Sequence, residues 1–417
     1  MRETGFGNVG DKVTKNRFAS EEVAKTVRGQ TCVGVLKEDP REKLWEVGVP
    51  VGVICGIVPS TNPTSTVCYK SLIALKSGNA IVFSPHPKAI CCTLRAAEIV
   101  AEAAEKAGAP KGAVGCLSLA SMAGCQELMG AKEVKLILAT GGPGMVKAAY
   151  SSGKPAIGVG AGNGPAYIHQ TADVQKALAC ILKSKTFDNG TVCASEQSII
   201  MERSMEEAVK NAARGMGFYF MSEEEARKLA KLLFRPTGAL NPEIVGKEAV
   251  KLAEMAGFSV PRDTKILVAR EEQAGPNYPY SMEKLCPVLA FYVMENEDAV
   301  LAKVVEILGH EGAGHTFAMH AQDRDAVEKF AIKVPVSRFL VNTPAALGGI
   351  GATTGLFPAL TLGCGAVGGS SSSNNISPLD LVNIRRVAWG TEEEKPEKQV
   401  DGDLVELLAR KILERLG

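Results

Sequence analysis

The chain has 417 residues, which predicts two to three domains, and its 46% hydrophobic and 22% charged residues are typical of a soluble globular protein. The formal net charge is +1 at pH 7, and no large acidic or basic block interrupts the sequence. This balance argues against nucleic acid as the main partner.

Cysteine and histidine usage argues against a disulfide framework or a metal site. The eleven cysteines are scattered, and none forms a C-x-x-C pair. His310, His315 and His320 are spaced by five residues, not at the i, i+4 spacing of two ligands on one helix face. No apolar run of about 18 residues and no signal-peptide pattern is present. We therefore expect a reducing, cytoplasmic environment, with no metal and no membrane segment.

The beginning of the chain predicts a helical region followed by an exposed β-hairpin. Residues 1–30 have a helical pattern, whereas residues 31–53 alternate apolar and polar side chains on either side of a turn at 38–42. An exposed hairpin needs a covering partner, which predicts that this one serves in oligomerisation.

A regular alternation of strands and helices follows. Near-continuous apolar strands with helical crossovers are typical of a parallel, doubly wound sheet that is covered on both faces. Such sheets bind ligands beyond the carboxyl ends of their strands. The predicted strands are Val51–Val58, Ala80–Phe83, Val114–Leu119, Val134–Ala139 and Ala156–Val159.

A second α/β unit is predicted after a boundary at residues 184/185. Residues 1–184 then form the first domain, residues 185–375 form the second, and a return strand within residues 376–390 joins the early hairpin. The strand-like runs of the second domain are Ser198–Met201, Lys265–Val268, Val288–Met294, Thr316–Met319 and Arg338–Val341.

The end of the chain has a different pattern. Residues 391–400 are predicted to be a charged linker, and residues 401–417 an amphipathic helix. Leu404, Leu408, Ile412 and Leu416 form one apolar stripe of this helix.

One cysteine stands in a turn between the two units. The polar, glycine-containing stretch 186–197 presents Cys193, which is followed by the small residues Ala194 and Ser195. At a loop-to-helix junction, backbone N–H groups would lower the thiol pKa and hold an oxyanion, as a covalent nucleophile requires. The alternative is a buried structural cysteine, which is the more common role of a free cysteine.

Polar residues at the predicted strand ends are further candidates. Asn62 could donate a hydrogen bond to a developing oxyanion, or simply form an Asn-Pro turn. The segment 140–142 opens a helix whose N–H groups can bind phosphate, although a tight turn is the commoner role. Ser84 and His86 stand where a nucleotide can be contacted. His315 is a candidate acid or base, or else a satisfied structural histidine.

Taken in order, these pieces resemble the aldehyde dehydrogenases. The resemblance runs from about residue 2 to residue 390 and is most specific to the coenzyme A-acylating class. That class includes the propionaldehyde and acetaldehyde dehydrogenases of bacterial microcompartments and the aldehyde dehydrogenase half of bifunctional aldehyde-alcohol dehydrogenases. The implied fold has two doubly wound α/β domains and a β-hairpin oligomerisation flap. The motifs that carry the resemblance are Thr61–Thr66, Ser77–Ala80, Phe83–Pro87, Thr140–Gly142, the Cys193 turn, Gly314–Thr316 and Asn342–Pro344.

The resemblance also implies residue roles. Cys193 would attack the aldehyde, while its backbone N–H and the Asn62 side chain, or Thr61 in a rival alignment, hold the oxyanion. Hydride would pass to NAD, and the thioester on Cys193 would pass to coenzyme A, with His315 helping to deprotonate that thiol. Glu283 would hold the nicotinamide ribose. The other residues expected at the cofactor are Thr61, Ser84, His86, Thr140, Gly141 and Gly142.

The sequence departs from the family pattern at three places. When aligned on Asn163, Gly158 replaces the glutamate that activates water in hydrolytic aldehyde dehydrogenases, which implies that coenzyme A takes the acyl group. Ser84 replaces the lysine usual near the adenosine ribose, so the preference between NAD and NADP stays open. The family usually has helices before residue 2, so the chain is expected to be shortened at its N-terminus.

Partners follow from the same resemblance. The expected substrates are a short-chain aldehyde, propionaldehyde or acetaldehyde, and coenzyme A, and the expected assembly is a homodimer or homotetramer. The linker and terminal helix resemble an encapsulation peptide, which implies a shell protein partner in the lumen of a microcompartment. A helix packed on its own domain is the alternative. A hydrolytic dehydrogenase and a non-catalytic scaffold are the rival functions, which Gly158 and the Cys193 turn respectively disfavour.

Overall fold

The computed structural model describes residues 1–390 and 402–416. The strands, in chain order, are β1 Gly34–Asp39, β2 Leu44–Pro50, β3 Val53–Ile57, β4 Ala80–Ser84, β5 Val114–Cys116, β6 Val134–Thr140, β7 Ala156–Val159, β8 Gly164–Ile168, β9 Glu196–Glu202, β10 Phe218–Phe220, β11 Ile266–Arg270, β12 Val288–Met294, β13 Gly314–His320, β14 Val336–Val341 and β15 Val382–Ala388. The helices are α1 Val9–Arg17, α2 Val23–Arg28, α3 Pro63–Lys76, α4 Ile90–Lys106, α5 Met122–Gly130, α6 Pro143–Tyr150, α7 Val174–Thr186, α8 Glu206–Arg214, α9 Glu223–Leu233, α10 Ala249–Met255, α11 Glu297–His310, α12 Arg324–Lys333, α13 Ala345–Gly349 and α14 Gly402–Leu416.

The first parallel sheet has the strand order β5-β4-β3-β6-β7. Its five strands are those predicted from the apolar runs, because a strand buried on both faces must be apolar almost throughout. Helix α3 connects β3 to β4 and begins with Pro63, directly after Asn62. The polar segments after β3, β4 and β6 therefore leave the sheet at one edge.

A buried lysine holds two of these polar segments in place. Lys70 lies on α3 and is fully buried, and its Nζ donates hydrogen bonds of 2.8 Å to Ile57 O in β3 and Leu138 O in β6. Burial lowers the pKa of Lys70 to about 7. The two carbonyl groups lie near the carboxyl ends of their strands, so the lysine holds the segments after β3 and β6 beside each other.

The second parallel sheet has the order β10-β11-β12-β9-β8-β13-β14. The sequence analysis did not predict β8, which begins in a glycine run and contains Pro165, a residue that normally argues against a central strand. Residues of β8 and α7 share a hydrophobic core with Ile199 of β9. The change of sheet therefore lies before Gly164 and not at residues 184/185, where the sequence analysis placed the boundary.

The third sheet is antiparallel and has the order β1-β2-β15. The predicted hairpin and its return strand are thus confirmed as a paired unit. Trp45 and Trp389 pack edge to face across the β2–β15 pair, with ring centroids 4.8 Å apart. The role of this sheet in oligomerisation stays a prediction.

The terminal helix lies in the second described range. The predicted amphipathic segment forms α14, and its Leu404, Leu408, Ile412 and Leu416 are 53%, 52%, 57% and 80% exposed. The predicted linker at 391–400 lies outside the described residues. Within residues 1–390 and 402–416, no helix has both the length and the hydrophobicity needed to cross a membrane.

Candidate active site

A cavity of about 250 Å³ brings together most of the residues predicted for the site. The cavity residues that belong to the first sheet lie in the segments after β3, β4 and β6, as expected for a doubly wound fold. The second unit supplies the nucleophile turn and the loop before β12. The predicted residues that line the cavity are Thr61, Asn62, His86, Thr140, Gly141, Gly142, Cys193 and Glu283.

Two predicted residues do not line this cavity. Ser84 is the last residue of β4, is 4% exposed, and uses its carbonyl oxygen to accept from Val58 N. His315 is fully buried in β13, where its Nδ1 lies 2.9 Å from Thr316 Oγ1. Burial, and then the nearby Arg338 cation, lower the pKa of His315 to about 3, so its imidazole is neutral.

The turn before Cys193 has an unusual backbone. Asp188, Asn189 and Gly190 have φ angles of 49°, 51° and 77°, a left-handed conformation that is strained for the two residues other than glycine. Strand β9 then begins at Glu196. The expected loop-to-helix junction is therefore wrong, because the thiol precedes a strand.

The ionisation of Cys193 also differs from the expectation. Burial, and after it the negative charges that Glu283 and Cys364 can carry, raise the pKa of the thiol to about 12. Arg338 and Lys15 oppose this shift without overcoming it. The predicted lowering of the pKa by backbone N–H groups is thus wrong, and the thiol is protonated at neutral pH.

A glycine is required directly behind the nucleophile. A Cβ added to Gly162 would overlap the Cys193 carbonyl oxygen and lie 2.7 Å from the carbonyl carbon. The Gly162 N–H donates to Glu283 Oε1 at 3.0 Å. Gly162 therefore contacts both the carboxyl group of Glu283 and the backbone of the nucleophile turn.

Glu283 is the one acidic side chain among the described residues that line the cavity. Its pKa is raised to about 8, mainly by burial and then by the negative charge of Glu311. The Glu311 carboxylate is fixed nearby, since its Oε2 accepts from Glu283 N at 2.7 Å. At pH 7, roughly nine tenths of Glu283 is therefore the neutral acid.

The Asn62 amide is held in one orientation. Its Oδ1 accepts from Lys15 Nζ at 2.6 Å, and its Nδ2 donates to Thr191 O at 3.0 Å. A lysine ammonium group can only donate, so it identifies the oxygen end of the amide. The nitrogen end thus faces the nucleophile turn, two residues before Cys193.

The residues that hold the Asn62 amide in place were not predicted from the sequence. Lys12, Lys15 and Asn8 come from the first helix and its cap, and they meet Asp188 in a buried network. Residues so far apart in the chain form no local motif. The only signal was the stretch of polar side chains between Asn8 and Asn16 in a helix that must pack against the first sheet.

The cavity has features that suit a nucleotide cofactor. The Thr140 hydroxyl is buried and, within the described residues, has no hydrogen-bond partner. Helix α6 begins beside it after Gly142, whose missing side chain leaves open space and provides no cap for the helix N–H groups. A phosphate or polar ligand group would satisfy these donors.

Gly158, the position of the missing glutamate, has no room for a side chain. An added Cβ would lie 2.6 Å from Val146 Cγ1 and 2.8 Å from Tyr150 Cε2. Tyr150 Oη accepts from Gly158 N at 2.9 Å, and Ser370 Oγ donates to Gly158 O at 2.9 Å. The glycine- and serine-rich segment 363–373 is thereby held against β7.

Comparison with known proteins identifies the family of the chain. The sequence profile of the aldehyde dehydrogenase family matches residues 1–216. The bifunctional aldehyde-alcohol dehydrogenase of Escherichia coli K12 is 47% identical over 393 residues, which are 93% of this chain and 44% of that protein. The chain therefore spans less than half the length of this relative.

Solved structures give similar results. An acetylating aldehyde dehydrogenase from Geobacillus thermoglucosidasius has a TM-score of 0.92 and 49% identity, over 95% of this chain and 87% of that one. A propionaldehyde dehydrogenase from a Clostridium phytofermentans microcompartment has a TM-score of 0.82 and 28% identity, over 93% and 86%. The same values describe a Rhodopseudomonas palustris propionaldehyde dehydrogenase with bound coenzyme A and an acylated cysteine. The family profile and these matches lead to one conclusion: the chain belongs to the aldehyde dehydrogenase family.

Proposed function

We propose that this protein is a coenzyme A-acylating aldehyde dehydrogenase. It oxidises a short-chain aldehyde with NAD and coenzyme A to acyl-CoA and NADH, through a thioester on Cys193, and the reaction is reversible. The observation that carries the proposal is the cavity itself. It combines a thiol with an oriented amide, while Gly158, where hydrolytic aldehyde dehydrogenases have a glutamate, has Val146 and Tyr150 packed into the space of a side chain.

The proposed mechanism begins at Cys193. The Cys193 sulfur adds to the aldehyde carbon as its proton passes to solvent, the C=O π electrons move onto the oxygen, and the developing oxyanion accepts a hydrogen bond from Asn62 Nδ2. The bound nicotinamide cofactor supplies the acceptor for the hydride that leaves this carbon. The resulting thioester is attacked by the sulfur of coenzyme A, so that acyl-CoA forms and the Cys193 thiol is restored.

Several residues would hold the ligands during these steps. Thr140 offers an unpartnered hydroxyl, Gly142 precedes α6 without a side-chain cap, and Gly141 and His86 line the same cavity. Glu283, as a neutral acid at pH 7, can donate a hydrogen bond to a ribose hydroxyl. The cavity is also lined by apolar side chains, which suit a short acyl chain such as acetyl or propionyl: Leu285, Ile350, Leu360 and Leu362.

His315 is the proposed acceptor of the coenzyme A thiol proton. Its Nε2 is buried and has no partner within the described residues, but a pKa of about 3 makes the buried imidazole a weak base. Because His315 is fully buried, this role requires an opening toward the cavity when substrate binds, which would also raise its pKa. Ser84 is the weaker candidate for contact with the cofactor, since it is buried at the end of β4.

The proposal is tested by the products formed from propionaldehyde and NAD. With coenzyme A present, we expect propionyl-CoA in an amount equal to NADH. Without it, NADH formation should stop after about one equivalent per active site, apart from slow hydrolysis. Propionate formed at the same rate with and without coenzyme A would identify a hydrolytic enzyme instead.

Residual hydrolysis is expected to follow the ionisation of Glu283. The rate of propionate formation without coenzyme A should rise about tenfold per pH unit up to pH 8 and level off above it, because only the carboxylate can activate water. Glu283→Gln should remove this rise. Glu311→Gln is the matched variant, since it removes the charge that raises the Glu283 pKa and should shift the midpoint to lower pH. A profile unchanged in both variants would contradict this role.

Assembly and location are proposed from the two remaining parts of the chain. The sheet β1-β2-β15 exposes Val35, Ile384 and Trp389, which suits an arm that covers another subunit in a homodimer or homotetramer. Helix α14 exposes its apolar stripe, which suits insertion into a groove of a microcompartment shell protein.

The targeting role is separable from catalysis. Deleting residues 391–417 should leave acyl-CoA formation within about twofold of the full chain, because the cavity lies in residues 15–362. The deletion should abolish co-sedimentation with assembled shells. Leu408→Asp is the point variant that changes only the apolar stripe and should have the same effect. Retention in the shell by both variants would contradict the proposed role.

A further inference from the structure

We infer that Lys15 is a positioning residue for the chemistry of this cavity, because it fixes the Asn62 amide that stabilises the oxyanion. The inference rests on the proposed function only for the role of Asn62. Lys15 lies on α1, far from both residues in sequence, yet it lines the same cavity as Asn62 and Cys193 and is 3% exposed. No aldehyde contact is required of it.

Three acceptors from separate parts of the chain surround the Lys15 ammonium group. Its Nζ donates to Asn62 Oδ1 at 2.6 Å, to Thr191 Oγ1 at 3.2 Å, and to Asp188 Oδ2. An ammonium group has three protons and no acceptor, so this set uses all of its donors. The amide oxygen is held toward α1, and Nδ2 must therefore face the nucleophile turn.

Asp188 connects this lysine to the strained turn. The carboxylate is fully buried, and its Oδ2 also accepts from Lys12 Nζ and Thr191 Oγ1, each at 2.6 Å, while its Oδ1 accepts from Asn8 N at 3.0 Å. A left-handed aspartate persists only where its surroundings determine its conformation. The same network thus holds the turn that carries Cys193 and the amide opposite it.

The charge of Lys15 strengthens the donor that it positions. A cation at the amide oxygen polarises the amide, and the effect is larger in a buried site than in water. The groups that face the ammonium are Lys12, Asp188, Asp11 and Cys193. Burial and Lys12 lower the pKa of Lys15 to about 8, against the opposing effect of Asp188, so the charged form still predominates at pH 7.

A double-mutant cycle tests this inference in the full chain. The measured quantity is the rate constant of NADH formation in a single turnover with propionaldehyde and NAD, without coenzyme A. We expect a loss of about 10²–10³-fold in Asn62→Ala and about 10–10²-fold in Lys15→Met. The double variant should be no slower than Asn62→Ala, because Lys15 acts through that amide. Losses that multiply in the double variant would overturn the inference.

Lys12→Met is the matched control. Lys12 also donates to Asp188 Oδ2 at 2.6 Å and to Thr61 O, but its hydrogen bond to Asn62 Oδ1 is long, at 3.4 Å against 2.6 Å for Lys15. We expect a loss of less than about threefold, and a loss equal to that of Lys15→Met would overturn the inference by assigning the effect to Asp188. Lys15→Gln keeps a neutral donor and should lower the rate of NADH formation less than Lys15→Met does. In the Asn62→Ala background, Lys15→Gln should have no further effect on that rate. This variant keeps the test usable if Lys15→Met does not fold.

Alkylation of Cys193 by iodoacetamide separates positioning from damage to the turn. This reaction needs the thiolate but forms no oxyanion at the aldehyde position, so Lys15→Met should slow it much less than NADH formation, only through loss of the charge that lowers the Cys193 pKa. An alkylation loss as large as the loss in NADH formation would overturn the inference. Because the cycle is measured before coenzyme A reacts, its result stays valid even if the acyl acceptor proves to be water.

Discussion

Cys193→Ser is expected to lower acyl-CoA formation by at least about 10⁴-fold, since a serine hydroxyl without a base is a far weaker nucleophile than a thiol. The loss should fall on the rate of NADH formation in a single turnover and not on aldehyde affinity. Steady-state and single-turnover assays with propionaldehyde, NAD and coenzyme A measure it directly. The thiol pKa of about 12 supports this expectation, because it means that residue 193 must lose its proton in the complex with bound substrate.

Cys364→Ser provides the control for this experiment. Cys364 is 3% exposed, lines the neighbouring cavity and lies close enough to affect the Cys193 pKa. Its replacement should change activity by no more than a few-fold, since Cys364 does not line the cavity that contains Cys193. Activity that survives Cys193→Ser but is lost in Cys364→Ser would show that the wrong sulfur has been assigned.

Gly162→Ala is expected to lower kcat/KM by about 10²-fold or more. The new Cβ would overlap the Cys193 carbonyl oxygen, so the backbone of the nucleophile must move. A displacement of about 1 Å from the reactive geometry is enough for such a loss. The same movement would disturb the Gly162 N–H bond to Glu283. The measurement is kcat/KM for the aldehyde, together with the rate of iodoacetamide labelling at Cys193.

Gly160→Ala is the matched variant in the same glycine run. A Cβ added there would have no heavy atom within 4 Å. We expect a loss several times smaller than in Gly162→Ala, with a similar melting temperature. Equal losses in the two variants would mean that the whole run, and not its contact with the nucleophile, is sensitive to substitution.

The sequence predicted the parts of the site that follow from sheet geometry. Buried parallel strands have near-continuous apolar runs, so their ends and the polar residues after them could be located without a structure. Asn62, His86 and Gly141 follow three such strands, and these strands are neighbours in the sheet. Their convergence with Cys193 and Glu283 required the family resemblance, because the second unit is distant in sequence.

The features that the sequence could not predict depend on contacts between distant segments. The pKa of Cys193 rises because of burial and Glu283, which no local pattern around residue 193 encodes. Lys15 reaches Asn62 only once α1 has packed against the first sheet. Strand β8 was missed for a local reason, since Pro165 and the preceding glycines conceal a strand that is buried between two neighbours.

The most direct test of the account is mass spectrometry of the protein after reaction with propionaldehyde and NAD in the absence of coenzyme A. We predict one propionyl group per chain, located on the peptide that contains Cys193 and removed by coenzyme A much faster than by water. A propionyl group on a different cysteine, or loss of the group at the same rate with and without coenzyme A, would contradict the account.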